Sequence, residues 1–377
     1  MALTIGVLKE SAADETRVAL VPEVLAKFAA LGATIRIQSG AGQGARIPDA
    51  LFDGADIVTN ASDVLSSCDV LLKVQPPTPD EITALKSGAI VIGFMQAYKQ
   101  HDAVKLMCER NVTSFSVELI PRISRAQSMD ALSSQAAVAG YKTVLIAANA
   151  QDKFVPMLTT AAGTIRPSRY LIIGAGVAGL QAIATARRLG AIVEGFDVRS
   201  ATREQVESLG AKFVDTGITA EGEGGYAREL TAEEQAAQQE VLNKHIALAD
   251  VVITTAAVPG RPAPRIISKA AVEAMQPGSI IVDLGAESGG NCELTQPGET
   301  IVHHDVRIIG PLNLPAELPR HASEMYSRNL LNFIQPAIQE GTLSIDWEDE
   351  VFAGAVLTRD GEIIHEQTRD TIQGEQS

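Results

Sequence analysis

Aromatic side chains are scarce in this sequence. They make up 4% of its 377 residues, with a single tryptophan, although apolar residues as a whole reach 46%. A core drawn from such a chain is aliphatic, as in α/β proteins whose parallel sheets are buried on both faces. Cysteine is scarcer still. Cys68, Cys108 and Cys292 are scattered, odd in number and form no CxxC, which argues against a disulfide frame or a zinc site and suits a reducing cytoplasm. Basic residues are outnumbered, 31 against 46 acidic ones, for a formal charge of −15. That balance repels phosphate backbones and anionic lipid, so no nucleic-acid partner is expected. Long hydrophobic runs are missing too. The longest, "LIIGAGVAGLQAIATA", is broken by glycines and Gln181 and falls short of a membrane span. "MALTIGVLKE" enters a strand directly, without the features of a signal peptide. A soluble, cytoplasmic chain is expected.

What is present is an α/β rhythm. Short β-branched runs alternate with helical patterns in both halves, the mark of parallel sheets wound by right-handed crossovers. Strands are expected at "TIGVLK", "TIRIQ", "DVLLKV", "AIVIGF" and "VTSFSV" in the first half. In the second they are expected at "RYLIIG", "AIVEGFD", "AKFVD", "ADVVITTA", "GSIIVDLG" and "VRIIG", the six strands of a complete dinucleotide-binding sheet. "SEMYSRNLLNFIQPAIQEG" reads as one helix, and the tail "HEQTRDTIQGEQS" as polar and frayed. The fold expected is α/β, with two Rossmann-like doubly wound domains. Residues 1–133 plus 318–377 form a discontinuous first domain, and 134–317 form the second.

"YLIIGAGVAGLQAIATARRLGAIVEGFDVR" carries GxGxxG as Gly174, Gly176 and Gly179, after a strand and at the start of a helix. Gly174 allows the tight turn, Gly176 lets a pyrophosphate approach the backbone, and Gly179 lets helix and strand pack closely. The helix N-terminus favours the anion. Asp197, 23 residues after Gly174, ends the next strand where it can accept hydrogen bonds from a ribose and repel a 2′-phosphate, favouring NAD over NADP. Arg199 complicates this, because a nearby arginine can accept that phosphate. Val177 and Val198 belong to the same expected cofactor site.

Three signals are weaker. Gly222, Gly224 and Gly225 before Tyr226 make either a mobile flap over a bound cofactor or an exposed acidic loop, and both stay open. His303, His304 and Asp305 suggest a metal, but adjacent residues on a strand point to opposite faces, so no metal site is expected there. "PPTPDE" after Lys73 reads as a strand-to-helix turn. One stretch remains: "PRISRAQSMDALSSQA", residues 121–136, sets two arginines, Gln127, Asp130 and four hydroxyls between a strand and a helix, with almost nothing apolar.

Together, "KESAADETRVALVPE", "LLKVQPP", "PRISRAQSMDALSSQAAVAGY", "GAGVAGLQAI", "GFDVR", "GGYARE" and "IVDLGAESGGNCE" resemble the NAD(H)-binding component of the proton-translocating transhydrogenase family, from Leu3 to about Gly361. The resemblance implies NAD(H) held in a cleft between the two domains and NADP(H) on a partner subunit. It further implies direct hydride transfer between them, and a membrane-spanning partner that conducts protons. It also implies a homodimer, peripheral on the inner face of the bacterial plasma membrane through its partners. By resemblance, Gln127 bridges toward the second nucleotide's ring, while Arg122, Asp130 and Ser133 orient the carboxamide and its ribose. Ile123, Ser124 and Arg125 complete that loop, and Gly225 and Tyr226 join the cofactor site. Hydride transfer is sensitive to distance and angle, so a flat ring needs several convergent hydrogen bonds.

Alanine dehydrogenase is a relative with the same two-domain plan. Arg17 and Lys73 match its substrate-carboxylate residues, but Gln96 stands at its catalytic histidine and Glu287 at its aspartate. Amino-acid oxidation moves protons as well as hydride and needs an acid/base; Gln96 cannot titrate. Transfer between two nicotinamides needs none. The alternatives are an alanine-dehydrogenase-like oxidoreductase with another substrate and a non-enzymatic NAD-sensing module.

Overall fold

The computed structural model describes residues 3–218, 231–256 and 262–374. The chain first lays down β1 (Thr4–Val7), β2 (Thr34–Gln38), β3 (Asp56–Val58), β4 (Val70–Leu72), β5 (Ile90–Gly93) and β6 (Thr113–Ser116). A second series follows: β7 (Leu158–Thr160), β8 (Gly163–Ile165), β9 (Arg169–Ile173), β10 (Ile192–Phe196), β11 (Lys212–Phe213), β12 (Val251–Thr254), β13 (Ile280–Asp283), β14 (Thr300–His303) and β15 (Val306–Ile309). Last come β16 (Ile338–Gln339), β17 (Thr342–Leu343), β18 (Val356–Arg359) and β19 (Glu362–Ile363). Two compact units result, Met1–Gln135 with Pro315–Ser377, and Ala136–Leu314.

In the first unit the strand order is β19-β18-β6-β5-β4-β1-β2-β3, parallel from β6 to β3. Successive side chains of a strand face opposite ways, and here both faces are covered. Val70 and Leu72 join one apolar cluster while Leu71, between them, joins the other. Four of the few aromatics gather at one place. Phe115 on β6 meets Phe333 at 5.3 Å, Phe352 at 5.9 Å and Trp347 at 5.9 Å between ring centroids. Three of those rings come from the returning C-terminal segment, which also pairs β18 antiparallel with β6. Aromatic burial of this kind ties the end of the chain to its beginning.

The second unit's sheet runs β11-β10-β9-β12-β13-β15-β14, parallel except for the antiparallel edge strand β14. Order reverses between β9 and β12, the switch point where α/β sheets open a crevice at the carboxyl ends of their strands. At the end of β13, the fully buried Asp283 organises the following loop. Its carboxylate accepts from Gly285 N (2.9 Å), Cys292 N (2.9 Å), Thr254 Oγ1 (2.9 Å) and Thr295 Oγ1 (2.6 Å). Among the described residues, no helix is long and apolar enough to cross a membrane.

Three expectations are corrected. The helix after Pro319 ends at Ile334, because Pro336 follows, and the last residues of that run form β16 instead. The tail is not frayed over its whole length: Glu366–Gly374 is a helix anchored by buried Ile372 and Thr368. The two histidine rings do not point to opposite faces. β14 stops at His303, and His304 and Asp305 make a tight turn with φ of 49° and 58°, so the rings stack with centroids 4.8 Å apart.

Asp283→Ala leaves four buried donors without their acceptor, and each orphaned buried group costs roughly 1–3 kcal/mol. We expect a loss of about 3 kcal/mol or more in urea unfolding of the full chain; a change below about 1 kcal/mol would show that the loop does not depend on this carboxylate.

Candidate functional site

Two clusters stand at the carboxyl ends of the two sheets. In the second unit, β9 ends at Ile173 and Gly174 turns the chain with φ of 100°. The helix Val177–Arg188 begins three residues later, with Gly176 at its N-cap and no side chain capping it. Its first-turn N–H groups therefore have no intrahelical acceptor. The three glycines divide the work. A Cβ on Gly179 would lie 1.8 Å from the Gly174 carbonyl oxygen, so this glycine serves close packing of strand and helix. A Cβ on Gly176 would meet nothing within 4 Å, so that side of the loop is open. Thr255, just past β12, donates to the Gly174 carbonyl at 3.1 Å and fixes the turn from below. Gly140 is a contributor that the motif does not reveal. A Cβ there would fall 2.1 Å from the Ala178 carbonyl oxygen, so it lets the helix Ala131–Ala150 press against the first turn. Its one signal is a glycine inside a helical run.

Asp197 follows β10 and is nearly buried, with 6% of its side chain exposed. It accepts from Ala175 N at 2.7 Å, which joins it to the glycine loop, and from Arg199 N at 2.9 Å. The Arg199 side chain adds a bidentate pair, Nε at 2.9 Å and Nη2 at 3.0 Å. Burial pushes the Asp197 carboxyl up, but Arg199 and the two backbone N–H groups outweigh it and hold the group below the usual carboxylate range. Val177 and Val198 are about half exposed beside these groups. The arrangement can hold an anion on backbone donors and a hydroxyl pair on one carboxylate. Gly222, Gly224, Gly225 and Tyr226 lie outside the described residues.

In the first unit, the polar stretch folds as a 3₁₀ turn over Ser124–Met129, held by buried Ala126 and Met129, and runs into the helix that starts at Ala131. Asp130 accepts from Ser133 N (2.8 Å) and Ser133 Oγ (2.5 Å), so both serve as the helix cap. Asn329 and Asn332, on the helix Pro319–Ile334, both donate to the Ser128 carbonyl, at 2.9 and 3.0 Å. Arg125 is engaged elsewhere: its guanidinium grips Asp349 at 2.6 and 2.9 Å and reaches Glu350 at 3.3 Å. Ile123 is partly buried against the core, and Ser124 is exposed. Arg122 and Gln127 are exposed. Their side chains project from a turn whose backbone is pinned.

Beneath that turn lies a buried charge cluster at the switch point between β1 and β4. Arg17 donates to Glu15 through Nε (2.8 Å) and Nη2 (2.6 Å), and through Nη1 to Gln135 Oε1 (2.9 Å). Lys73 sits between Glu10 at 3.1 Å and Glu81 at 3.2 Å. Burial pushes the Glu10 carboxyl up against the pull of Lys73. Burial also pushes Glu15 up, but its bonds to Arg17 and Gln75 prevail and hold it low. Gln96, at φ 45°, donates through Nε2 to Gln75 Oε1 at 3.0 Å, and Gln75 donates to Glu15 at 2.7 Å. From Gln135 the row of bonds continues through Ser134 to Asn329, and so to the carbonyl of Ser128. The long links among these, up to 201 residues apart, could not be read from spacing. In the second unit, Glu287 accepts from Asn313 N at 2.7 Å.

Comparison with known proteins matches the chain to one family. The N-terminal domain of the alanine dehydrogenase/PNT family matches residues 6–139, and its C-terminal domain residues 143–366. The chain is 45% identical over 376 residues to an NAD(P) transhydrogenase subunit alpha chain of Rhodospirillum rubrum, covering 96% of this chain and 98% of that one. A crystal structure of transhydrogenase from Sinorhizobium meliloti aligns with a TM-score of 0.88 at 44% identity, over 96% of this chain and 99% of that one. Alanine dehydrogenase of Mycolicibacterium smegmatis is more distant, 26% identical over 97% of this chain and 95% of its own.

The glycine geometry separates fold from function. Gly179→Ala forces a backbone clash and is expected to destabilise the chain by about 1–3 kcal/mol or more. Gly176→Ala, at φ −79° with open space around its Cβ, is expected to stay within about 0.5 kcal/mol of the parent. Chemical unfolding of both variants checks this; equal losses would mean that the loop is not divided as described.

Proposed function

Because the chain belongs to the alanine dehydrogenase/PNT family, among the alpha subunits of NAD(P) transhydrogenase, we propose that it is the NAD(H)-binding subunit of a proton-translocating transhydrogenase. NADH on this chain and NADP+ on a partner subunit exchange hydride directly, coupled to proton movement through a membrane-spanning partner. The chain sits peripherally on the inner face of the membrane through those partners, and acts as a homodimer. The exposed apolar residues around the β7–β8 hairpin, Phe154, Met157 and Ile165, support a second copy as their cover.

The pairing of Arg17 and Lys73 with their own carboxylates carries this reading. A keto-acid or amino-acid substrate would need those cations for its carboxylate, and a titrating group where Gln96 stands. Here Glu15 holds Arg17, Glu10 and Glu81 hold Lys73, and Gln96 bonds to Gln75. Hydride exchange between nicotinamides asks for neither.

The residues fit a dinucleotide. The open side of Gly176 and the uncapped first turn of the helix suit a pyrophosphate, and Asp197 suits a ribose. NAD(H), when bound, supplies the hydride. Gly174, Gly176, Val177 and Gly179 form the phosphate cradle, and Asp197 with Val198 and Arg199 the adenosine end; Gly225 and Tyr226 belong with them by resemblance. Arg122 and Gln127 orient the nicotinamide from a pinned turn, with Asp130 and Ser133 fixing that turn. Ile123 and Ser124 contribute through their place in the loop, and Arg125 through its backbone, since its side chain is held by Asp349.

Two measurements test the assignment. Calorimetry should show NADH bound in preference to NADPH. Asp197→Ala weakens NADH and narrows the gap, while Arg199→Ala widens it by removing the cation beside the 2′ position. Equal affinities in the parent chain overturn the cofactor assignment.

Gln127→Asn keeps the amide but shortens its arm. NADH affinity should stay within about tenfold, the scale of one hydrogen bond. Transfer to NADP+ on the partner subunit should slow on the order of a hundredfold, as for a ring misplaced by about 1 Å. Stopped-flow transfer beside equilibrium binding separates the two. A variant that loses both in proportion, or neither, shows that the turn does not position the ring.

A further inference from the structure

Glu273, His303 and His304 form a cluster that the nucleotide chemistry does not use. His303 is the last residue of β14, and His304 opens the left-handed turn toward β15. The turn cancels the alternation of a strand, and the two rings lie nearly parallel, 20° apart. Both present Nε2 to one oxygen. Glu273 Oε1, at the end of the helix Lys269–Glu273, lies 2.9 Å from His303 Nε2 and 3.9 Å from His304 Nε2. The three donor atoms fall within 4.8 Å of one another.

We propose that these residues bind a divalent d-block cation of the zinc class. Two imidazoles and a carboxylate are the donor set such ions take, whereas calcium and magnesium prefer oxygen alone. The two carboxylate spacings also suit it. A tetrahedral ion with bonds of about 2.0–2.1 Å sets neighbouring donors about 3.3 Å apart. The two carboxylate–imidazole distances, 2.9 and 3.9 Å, lie on either side of that value. Both exposed members, Glu273 and His304, can adjust, and the solvent side leaves room for water as a further ligand. The competing cation is Lys269, whose Nζ is 3.9 Å from the same oxygen on a half-exposed, flexible side chain. An ion outcompetes it by adding the two imidazoles. Because the ligands come from a helix and from the edge hairpin, the ion would tie the antiparallel edge of the second sheet to that helix.

The test uses the full chain, stripped with a chelator and titrated with Zn2+ alone by calorimetry, then with Co2+ followed by visible absorption. One site of micromolar or better affinity is expected, with cobalt d–d bands and no thiolate charge-transfer band. His304→Asn keeps the turn, since asparagine tolerates positive φ. His304→Asn and Glu273→Gln should each weaken binding by about tenfold or more. The double change His303→Asn with His304→Asn should abolish the site, while Cys108→Ser should leave it intact. Absence of binding in the parent chain at 100-fold excess overturns the proposal. So does an unaltered affinity in the double variant, or loss of binding in Cys108→Ser.

Discussion

Two cations are buried in the first unit, and the site around them depends on how their charge is met. The side chains of Arg17 and Lys73 are 3% and 1% exposed. An unpaired ion at that depth costs several kcal/mol, so Glu15, Glu10 and Glu81 are conditions for the fold and not ornaments of it. Pairing leaves polar atoms to satisfy, and neutral amides do so. Gln135 takes a third guanidinium donor, Gln75 donates to Glu15 Oε2, and Gln96 bonds Gln75. The same row of bonds, continued through Ser134 and Asn329, ends on the carbonyl of Ser128. The turn that carries Gln127 is thereby fixed from underneath by the burial of a charge.

The second unit meets the opposite demand, since its loop has to leave backbone donors uncovered. Packing is confined to the lower side, where Gly140, Gly179 and Thr255 let helix, strand and loop approach to contact. Above Gly176 there is space. Asp197 already holds four hydrogen bonds, two of them from the Arg199 guanidinium. The backbone bonds fix the carboxylate, while the arginine is its more exposed partner, with 55% of its side chain accessible. The arginine that complicates cofactor preference in the sequence thus also helps, with two backbone N–H groups, to hold this carboxyl below the usual range.

The sheets were legible because β-branched runs recur at the spacing of crossover units, and β9 to β13 fall where those runs are. What escaped was short or paired late. β3 is only three residues long, and β18 acquires its partner from β6 across more than two hundred residues of chain. The glycine loop was legible because its backbone requirements restrict residue type at fixed offsets. The support of the polar turn was not: Gln135, Asn329 and Asn332 are ordinary polar residues until tertiary structure aligns them. Strand alternation failed at His303 and His304 for a local reason, a left-handed turn one residue earlier than the pattern allows.

Around Gln96 the question is which groups are free to exchange protons. Carboxylates are not lacking around Gln96, but each is committed to a donor. Glu15 is held by Arg17 and Gln75, and Glu10 by Lys73 and the N–H groups of Val74 and Gln75. Burial pushes the Glu118 carboxyl up, yet it accepts from the N–H groups of Met95 and Gln96 and so fixes the left-handed backbone at Gln96. A proton placed on any of them would weaken it as the acceptor that its donors rely on. The acids here act as structural acceptors, and a reaction that moves only hydride leaves such a cluster undisturbed.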